Sequence, residues 1–126
     1  EMKMVYETQK IMSLPDLNVS ATCVRVPVVR AHSEAVTIDF DEELSADKAR
    51  ELLEQAPGVE LLDVPQENVY PLARQAASTE PVWVGRIRQD TQRPKTLHLW
   101  VVADNLLKGA ALNAVQIAEA LAAANV

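Results

Sequence analysis

Three side chains that could take part in chemistry lie within ten residues near the start of this 126-residue chain: Cys23, Arg25 and His32. An imidazole can both give and accept a proton near neutral pH, and a guanidinium matches the planar geometry of a carboxylate. A thiol becomes a nucleophile when its surroundings are exposed and electropositive. Residues of these types can carry out proton transfer, carboxylate binding or nucleophilic attack.

The valine-rich stretch around these residues favours extended backbone. We predict two strands, at about residues 18–30 and 32–40, the second with apolar residues at alternate positions. Residues seven apart on one strand point to opposite faces. However, Pro27 favours a bulge or bend, and one inserted residue would bring Arg25 and His32 to the same face.

Each of these residues also has a simpler interpretation. Cys23, the single cysteine, is expected to be a small buried hydrophobic residue in a strand, and we reject it as a nucleophile. His32 can be a hydrogen-bonded histidine near a strand end. Arg25 can be the ion-pair partner of one of the 18 acidic residues. Spacing alone leaves these alternatives open.

The composition limits the class of protein. A chain of 126 residues fits one domain, and a net charge of −6 argues against nonspecific nucleic-acid binding. One cysteine allows no intrachain disulfide, which fits a cytoplasmic protein, and no apolar run has the length of a membrane span. The three glycines form no glycine-rich turn of the kind that binds dinucleotides.

The order of the expected elements predicts an α+β fold with a mixed, largely antiparallel sheet and helices packed on one face. The uncovered sheet face is expected to form a homodimer. Besides the two strands above, the pattern predicts helices at about 1–12, 46–55 and 106–124, strands at 59–64, 82–89 and 96–103, and a long connection at 65–81 with at most one short strand.

Several polar residues have expected places in these elements. Ser45 and Asp104 are expected to cap helices, and His98 to be a satisfied histidine in an apolar strand. The strand at 82–89 is expected to present Val82, Val84, Arg86 and Arg88 on one face and Trp83, Gly85 and Ile87 on the other. Arg86 and Arg88 are then expected to form interface or structural ion pairs.

Two further residues are candidates for binding. Asn105 lies at the mouth of the last predicted helix, where its amide suits a carboxamide or a phosphate, or simply caps the helix. Lys3 lies on an exposed helix face and is by itself an ordinary solvated charge. Arg30 is expected at the surface or at an interface.

Five motifs give the chain a specific resemblance, in order and over nearly its whole length. They are EMKM followed by ET.KI within 1–11, TCVRVPV at 22–28, AHSEAV at 31–36, VGRIR at 84–88 and DNLLKGAALNAVQIAE at 104–119. They resemble the C-terminal domain of bacterial aspartate-semialdehyde dehydrogenases. The resemblance implies the C-terminal domain fold of glyceraldehyde-3-phosphate-dehydrogenase-like enzymes. It also implies that residues 1–126 form one substrate-binding and dimerisation domain, a fragment lacking the N-terminal dinucleotide-binding domain.

The resemblance also implies an activity: NADP-dependent reduction of 4-aspartyl phosphate to aspartate semialdehyde with phosphate release, on the route to lysine, threonine and methionine. In that family's pattern His32 is the catalytic acid/base, Arg25 binds the substrate carboxylate, Lys3 contacts the phosphate and Asn105 touches the nicotinamide cofactor. No metal is implied. The family's nucleophilic cysteine lies in an Asn-Cys motif of the preceding domain, so the fragment alone is expected to be inactive.

Two other functions remain in view. One is a noncatalytic, stand-alone dimeric scaffold or regulatory domain with the same fold, favoured by the missing nucleophile motif and glycine-rich turn. The other is a reductase for a different acyl phosphate, such as N-acetylglutamyl phosphate. The motifs at 22–28 and 104–119 make this last function the least expected of the three.

Overall fold

A computed structural model describes residues 1–124 of the chain, which contain a four-stranded sheet with helices around it. The helices are α1 (Met2–Ile11), α2 (Ala46–Glu54), α3 (Ala73–Ala76) and α4 (Leu112–Ala123), and the strands are β1 (His32–Asp39), β2 (Val59–Leu61), β3 (Val82–Gln89) and β4 (Thr96–Ala103). No helix within the described part of the chain has the length and apolarity needed to cross a membrane.

The strands lie in the order β1-β4-β3-β2. β1 is antiparallel to β4, and its register runs from His32 opposite Ala103 to Asp39 opposite Thr96. β3 is antiparallel to β4, whereas β2 is parallel to β3. The sheet is therefore mixed and largely antiparallel, which confirms the predicted fold class.

The main core lies between α2 and one face of the sheet. Ala49 on α2 packs with Val84, Ile87 and Leu97, all nearly inaccessible to solvent. Burial of this apolar surface is the main favourable contribution to folding. The helix begins as predicted, because the Ser45 hydroxyl accepts a hydrogen bond from the Lys48 N–H at 3.2 Å.

The segment after β2 covers part of the opposite sheet face. We predicted a loop with at most one short strand at 65–81, but the segment forms a 3₁₀ turn, Pro65–Glu67, and the short helix α3. Ala76 packs there against Val102 and Trp100, and the Trp100 indole N–H donates to the Pro71 carbonyl at 3.0 Å. Three prolines limit the ladder bonds that a strand needs, which favours turns.

β3 contains a bulge that the alternating pattern did not predict. The register of β3 against β4 shifts between Gly85 and Arg88, and Arg86 has a left-handed backbone with φ of 52°. Asp63 accepts from the N–H groups of Arg86 and Ile87. The extra residue brings Ile87 into the same core as Val84. The predicted placement of Ile87 on the opposite face was therefore wrong.

The stretch 18–30 is not a strand, contrary to prediction. Its backbone makes no ladder with any strand of residues 1–124, and Val24, Val26, Val28 and Val29 are exposed. The Val28 N–H instead closes a tight turn around Pro27 onto the Val26 carbonyl at 2.8 Å. β-propensity reflects packing on a pleated surface, and this stretch has no strand beside it.

The last predicted helix is interrupted near its start. Residues Leu107–Ala111 form an irregular kinked turn in which Gly109 has φ of 74°, and regular helix begins at Leu112. The Asn113 side-chain oxygen accepts from the Gly109 N–H at 3.0 Å, at the start of that regular helix. Residues 125–126 lie outside the described part of the chain.

Candidate active site

His32 is the first residue of β1 and is exposed to solvent. Its backbone is held in register opposite Ala103 at the end of β4. The imidazole makes no hydrogen bond with any residue of 1–124, so the alternative of a hydrogen-bonded structural histidine has no support in that range. A side chain with a fixed backbone and free ring nitrogens is suited to exchanging a proton with a ligand.

Ala31, directly before His32, has an unusual backbone conformation. Its φ is 78°, a left-handed value that costs a residue with a Cβ roughly 1–2 kcal/mol. Its N–H donates to the Asn105 side-chain oxygen at 3.0 Å, and its side chain is buried beside Val102. These contacts hold the turn that directs the chain into β1.

Arg30, one residue earlier, forms an ion pair with Asp104 at 2.6 Å. Arg30 also donates to the Ser78 hydroxyl at 3.2 Å. The sequence predicted that Arg30 lies at the surface or at an interface, and its side chain is 32% exposed. Its buried partner was not predicted, because that required knowing that the start of β1 pairs with the end of β4, where Asp104 follows directly.

Asp104 is fully buried and accepts several hydrogen bonds. Besides Arg30, the Ser78 N–H donates at 2.6 Å and the Leu106 N–H at 2.9 Å. The prediction that Asp104 caps the last helix was wrong, because regular helix begins only at Leu112. Burial alone would raise the pKa of this carboxyl. The Arg30 hydrogen bond and the two N–H donors outweigh that effect, and the pKa lies below its usual value.

Asn105, which is predicted to touch the cofactor, lies near His32. Its side-chain oxygen accepts from the Ala31 N–H at 3.0 Å and caps no helix within residues 1–124, so the alternative of a simple helix cap has no support there. Its side-chain nitrogen makes no hydrogen bond within residues 1–124 and remains a free donor. Asn105 and His32 therefore lie at the same end of the sheet, because Asn105 contacts the backbone of Ala31, the residue directly before His32.

Arg25 lies in the irregular segment between α1 and β1 and is exposed. It forms no ion pair with any residue in the described range, so the alternative of a structural ion pair has no support there. Because 18–30 is not a strand, the argument from alternation that placed Arg25 and His32 on one face does not apply. No hydrogen bond joins these two side chains within 1–124, and their convergence stays a prediction.

Lys3 lies on α1 with its side chain 81% exposed and forms only a long ion pair, 3.6 Å, with Glu7. The start of this helix is tied to the segment that carries Arg25, because the Glu1 carboxylate accepts from the Cys23 N–H at 2.8 Å. The fold thus connects the backbone segments of Lys3 and Arg25 to each other.

Cys23 is exposed, and its thiol lies 3.3 Å from the Met4 sulfur. The prediction of a buried cysteine in a strand was wrong, for the same reason that the strand itself is missing. No set of three or more His, Cys, Asp or Glu side chains between residues 1 and 124 is arranged to hold a metal ion.

The remaining polar residues have structural contacts. His98 is held between the Thr37 hydroxyl at 3.0 Å and the Asp90 carboxylate at 2.9 Å, which confirms a satisfied histidine. The N–H of Gln92 and the contact with His98 lower the pKa of Asp90 despite partial burial. Arg86 and Arg88 make other contacts than the predicted ion pairs. The guanidinium carbon of Arg86 lies 5.2 Å from the centroid of the Tyr70 ring, and the Arg88 guanidinium donates to the Arg86 carbonyl.

Comparison with known proteins identifies the family of this chain. Residues 1–108 match the family described as semialdehyde dehydrogenase, dimerisation domain. Over 122 residues the chain is 53% identical to an aspartate-semialdehyde dehydrogenase of Bacillus subtilis, covering 96% of this chain and 35% of that protein. An aspartate-semialdehyde dehydrogenase of Aquifex aeolicus is 53% identical over 121 residues, covering 96% of this chain and 36% of that protein.

A solved structure shows the same fold. Aspartate semialdehyde dehydrogenase II of Vibrio cholerae, in a crystal structure described as complexed with ASA, superposes with a TM-score of 0.90 and 47% identity, covering 97% of this chain and 36% of that chain. The chain thus spans about a third of the length of the relatives it matches. The predicted resemblance is confirmed, and the chain belongs to the semialdehyde dehydrogenase dimerisation-domain family.

Proposed function

We propose that this chain is the substrate-binding and dimerisation domain of an NADP-dependent aspartate-semialdehyde dehydrogenase. The complete enzyme reduces 4-aspartyl phosphate to aspartate semialdehyde and releases phosphate, in the biosynthesis of lysine, threonine and methionine. The observation that carries the proposal is 53% identity over 96% of the chain to a relative with that name. The Vibrio cholerae structure complexed with ASA, 47% identical, supports the same substrate class.

In this proposal His32 is the acid/base. Its exposed imidazole takes the proton of the attacking thiol, which the other domain supplies, and returns a proton to the departing group. The free ring nitrogens and the anchored backbone support this role. An imidazole can act both as a proton acceptor and as a proton donor, which this role requires.

Arg25 binds the carboxylate of the substrate, and Lys3 contacts its phosphate. Both cations are exposed, and Arg25 has no competing carboxylate partner within residues 1–124. A guanidinium can hold a carboxylate through two parallel hydrogen bonds, whereas an ammonium acts on phosphate as a point charge. The Glu1–Cys23 contact keeps the two segments that carry these cations joined.

The cofactor is held mainly by another domain in this proposal. The chain has three glycines and no glycine-rich turn for a pyrophosphate. When bound, the nicotinamide supplies the hydride. Asn105 fits one edge of such a group, because its side-chain nitrogen is a free donor suited to a carboxamide oxygen while its oxygen is fixed by Ala31.

The domain forms a homodimer through the part of the sheet that α3 leaves uncovered. We call this region the open face, and it consists of Ser33, Ala35, Thr37, Arg88 and His98. Ala35 and Thr37 on β1 are exposed and lie opposite Trp100 and His98 of β4. The family description as a dimerisation domain supports the assembly. With a single cysteine and no disulfide to form, we also propose a cytoplasmic location.

The proposal is tested by assaying the natural gene product with aspartate semialdehyde, phosphate and NADP. His32→Ala should lower kcat roughly 10²- to 10⁴-fold, because general acid–base catalysis contributes about that factor. Glu51→Gln, on the solvent side of α2, serves as the control and should retain activity. If the natural gene product folds but does not turn over these substrates, the proposed enzyme activity is wrong and the noncatalytic scaffold is supported instead.

A further inference from the structure

Three consecutive residues, the first of β1 and the two before it, are held by the last residue of β4 and the two after it. Arg30 pairs with Asp104, the Ala31 N–H donates to Asn105, and His32 lies opposite Ala103. By contrast, the His32 side chain has no hydrogen-bond partner within residues 1–124. Its position therefore depends on its backbone and not on contacts of the imidazole.

We propose that Arg30 and Asp104 form a positioning pair that aims His32 at the reacting atoms, an inference that rests on the proposed function. Asp104 has no solvent-exposed side-chain surface and is fixed by the N–H groups of Ser78 and Leu106. Arg30 is attached to this fixed carboxylate at 2.6 Å and to Ser78 at 3.2 Å. Two points of attachment fix the guanidinium plane, which a single contact would leave free to rotate.

The pair acts on His32 through Ala31. A left-handed alanine persists only where its neighbours determine the backbone on both sides. The Asn105 contact holds the N–H of Ala31, and Arg30 anchors the residue before it. Release of Arg30 would let Ala31 relax toward an ordinary φ, which turns the first residue of β1. Displacement of a catalytic group by about 1 Å can lower a rate about a hundredfold.

The chain offers a matched control at the opposite edge of the sheet. Arg50 on α2 forms an ion pair of 2.9 Å with Asp63, whose side chain is 2% exposed. Asp63 follows β2, whereas His32 lies on β1, and β4 and β3 separate these strands. Loss of either pair leaves a buried carboxylate without its arginine, so both substitutions should reduce stability.

The experiment uses the natural gene product carrying Arg30→Met or Arg50→Met. Arg30→Met should lower kcat about a hundredfold per folded enzyme, with KM for aspartate semialdehyde changed less than about threefold, since Arg25 is untouched. Arg50→Met should lower the thermal midpoint while kcat per folded enzyme stays within about twofold. Equal kcat values in the two variants would overturn the proposal.

A double-mutant cycle separates positioning from a general effect on the fold. In the His32→Ala background, Arg30→Met should lower kcat by less than about twofold, because a residue that acts through His32 has nothing further to lose. An additional loss as large as in the wild-type background would contradict positioning. If Arg30→Met does not fold, Arg30→Lys replaces it in the same cycle, with an expected loss of about tenfold.

The outcome also distinguishes this inference from the proposed function. If His32→Ala leaves kcat unchanged, the assignment of His32 as acid/base fails and the positioning pair fails with it. If His32→Ala lowers kcat but Arg30→Met does not, the proposed function stands and the positioning pair alone is wrong.

Discussion

At the scale of single residues, the two arginines of the N-terminal third are used by the fold in opposite ways. Arg30 is bound to a fully buried carboxylate, whereas Arg25 is exposed and forms no ion pair within residues 1–124. An arginine that already holds a buried partner is poorly placed to bind a substrate anion. An unpaired and accessible guanidinium is available to do so.

This contrast predicts that substitutions at Arg25 affect substrate recognition. In the natural gene product, Arg25→Leu should raise KM for aspartate semialdehyde roughly 10- to 100-fold, since a charge-assisted hydrogen bond contributes about 1.5–3 kcal/mol. Arg25→Lys should restore binding only in part, because an ammonium cannot form the bidentate contact. Arg74→Leu, an exposed arginine on α3, is the control and should leave KM unchanged. Similar KM values for all three variants would contradict the assignment.

A second prediction concerns the acid stability of the domain. The folded-state pKa of Asp104 is lowered, so the group contributes stability above its ordinary pKa of about 3.9 that is lost as the pH falls through the folded value. In urea unfolding between pH 7 and pH 3, the wild type should therefore lose unfolding free energy more steeply on acidification than Asp104→Asn.

The control for that titration is Asp41→Asn, in the exposed turn after β1. The unfolding free energy of this variant should fall with pH as steeply as that of the wild type. If the unfolding free energies of wild type and Asp104→Asn fall equally steeply with pH, Asp104 is not responsible for the loss of stability in acid.

The Arg30–Asp104 pair could be found from the sequence only by placing strands that are distant along the chain. Each residue flanks a strand, Arg30 just before β1 and Asp104 just after β4. An antiparallel pairing of these two strands would bring them together. The sequence predicted both strands but not which strands, distant along the chain, pair with each other.

At the scale of elements, local patterns predicted α1, α2, β3 and β4 well. Ser45 marks the start of α2, and apolar runs bounded by turn residues mark β3 and β4. The stretch 18–30 has equally strong β-propensity yet forms no strand. A strand requires a neighbour for its backbone groups, and no local signal states whether one is present.

The bulge in β3 could not be predicted from local sequence either, because it depends on a distant residue. Asp63, distant in sequence, accepts the N–H groups that the shifted register leaves free. Gly85 lies at the start of this irregularity, and a Cβ there would overlap the Leu62 carbonyl oxygen and come within 2.6 Å of Pro71. The close approach of the segment after β2 therefore requires glycine at this position.

Gly85→Ala should lower the free energy of unfolding by about 1–3 kcal/mol, the usual cost of overpacking. Gly109→Ala is the comparison, because a Cβ at Gly109 meets no atom within 4 Å although its φ is 74°. That variant should lose only about 1 kcal/mol of backbone strain. Chemical denaturation of both variants measures the difference, and an equal loss would mean that the contacts around Gly85 yield easily.

At the scale of the whole molecule, the sheet is covered unequally on its two faces. α2 covers one face, and α3 with its flanking residues covers only the β3 and β4 side of the other. The open face remains beside β1. Its side chains are small or polar, so a partner copy could approach closely and form hydrogen bonds there.

The proposed dimer predicts a change of mass on substitution within the open face. Ala35→Arg should convert the natural gene product from dimer to monomer in sedimentation, since two long charged side chains would meet across a symmetric interface. Glu51→Arg on the solvent side of α2 introduces the same residue and should remain dimeric. A dimer that persists in both variants would place the interface elsewhere on the molecule.

The hydrogen bond between Ala31 and Asn105 joins residues 74 positions apart in sequence. During synthesis the segment around His32 therefore leaves the ribosome long before its anchor exists, and the loop between them must close before either is fixed. Such high contact order slows folding. The backbone before His32 is thus among the last parts of the domain to be ordered, and a chain interrupted before residue 104 would contain His32 without the contacts that fix that backbone.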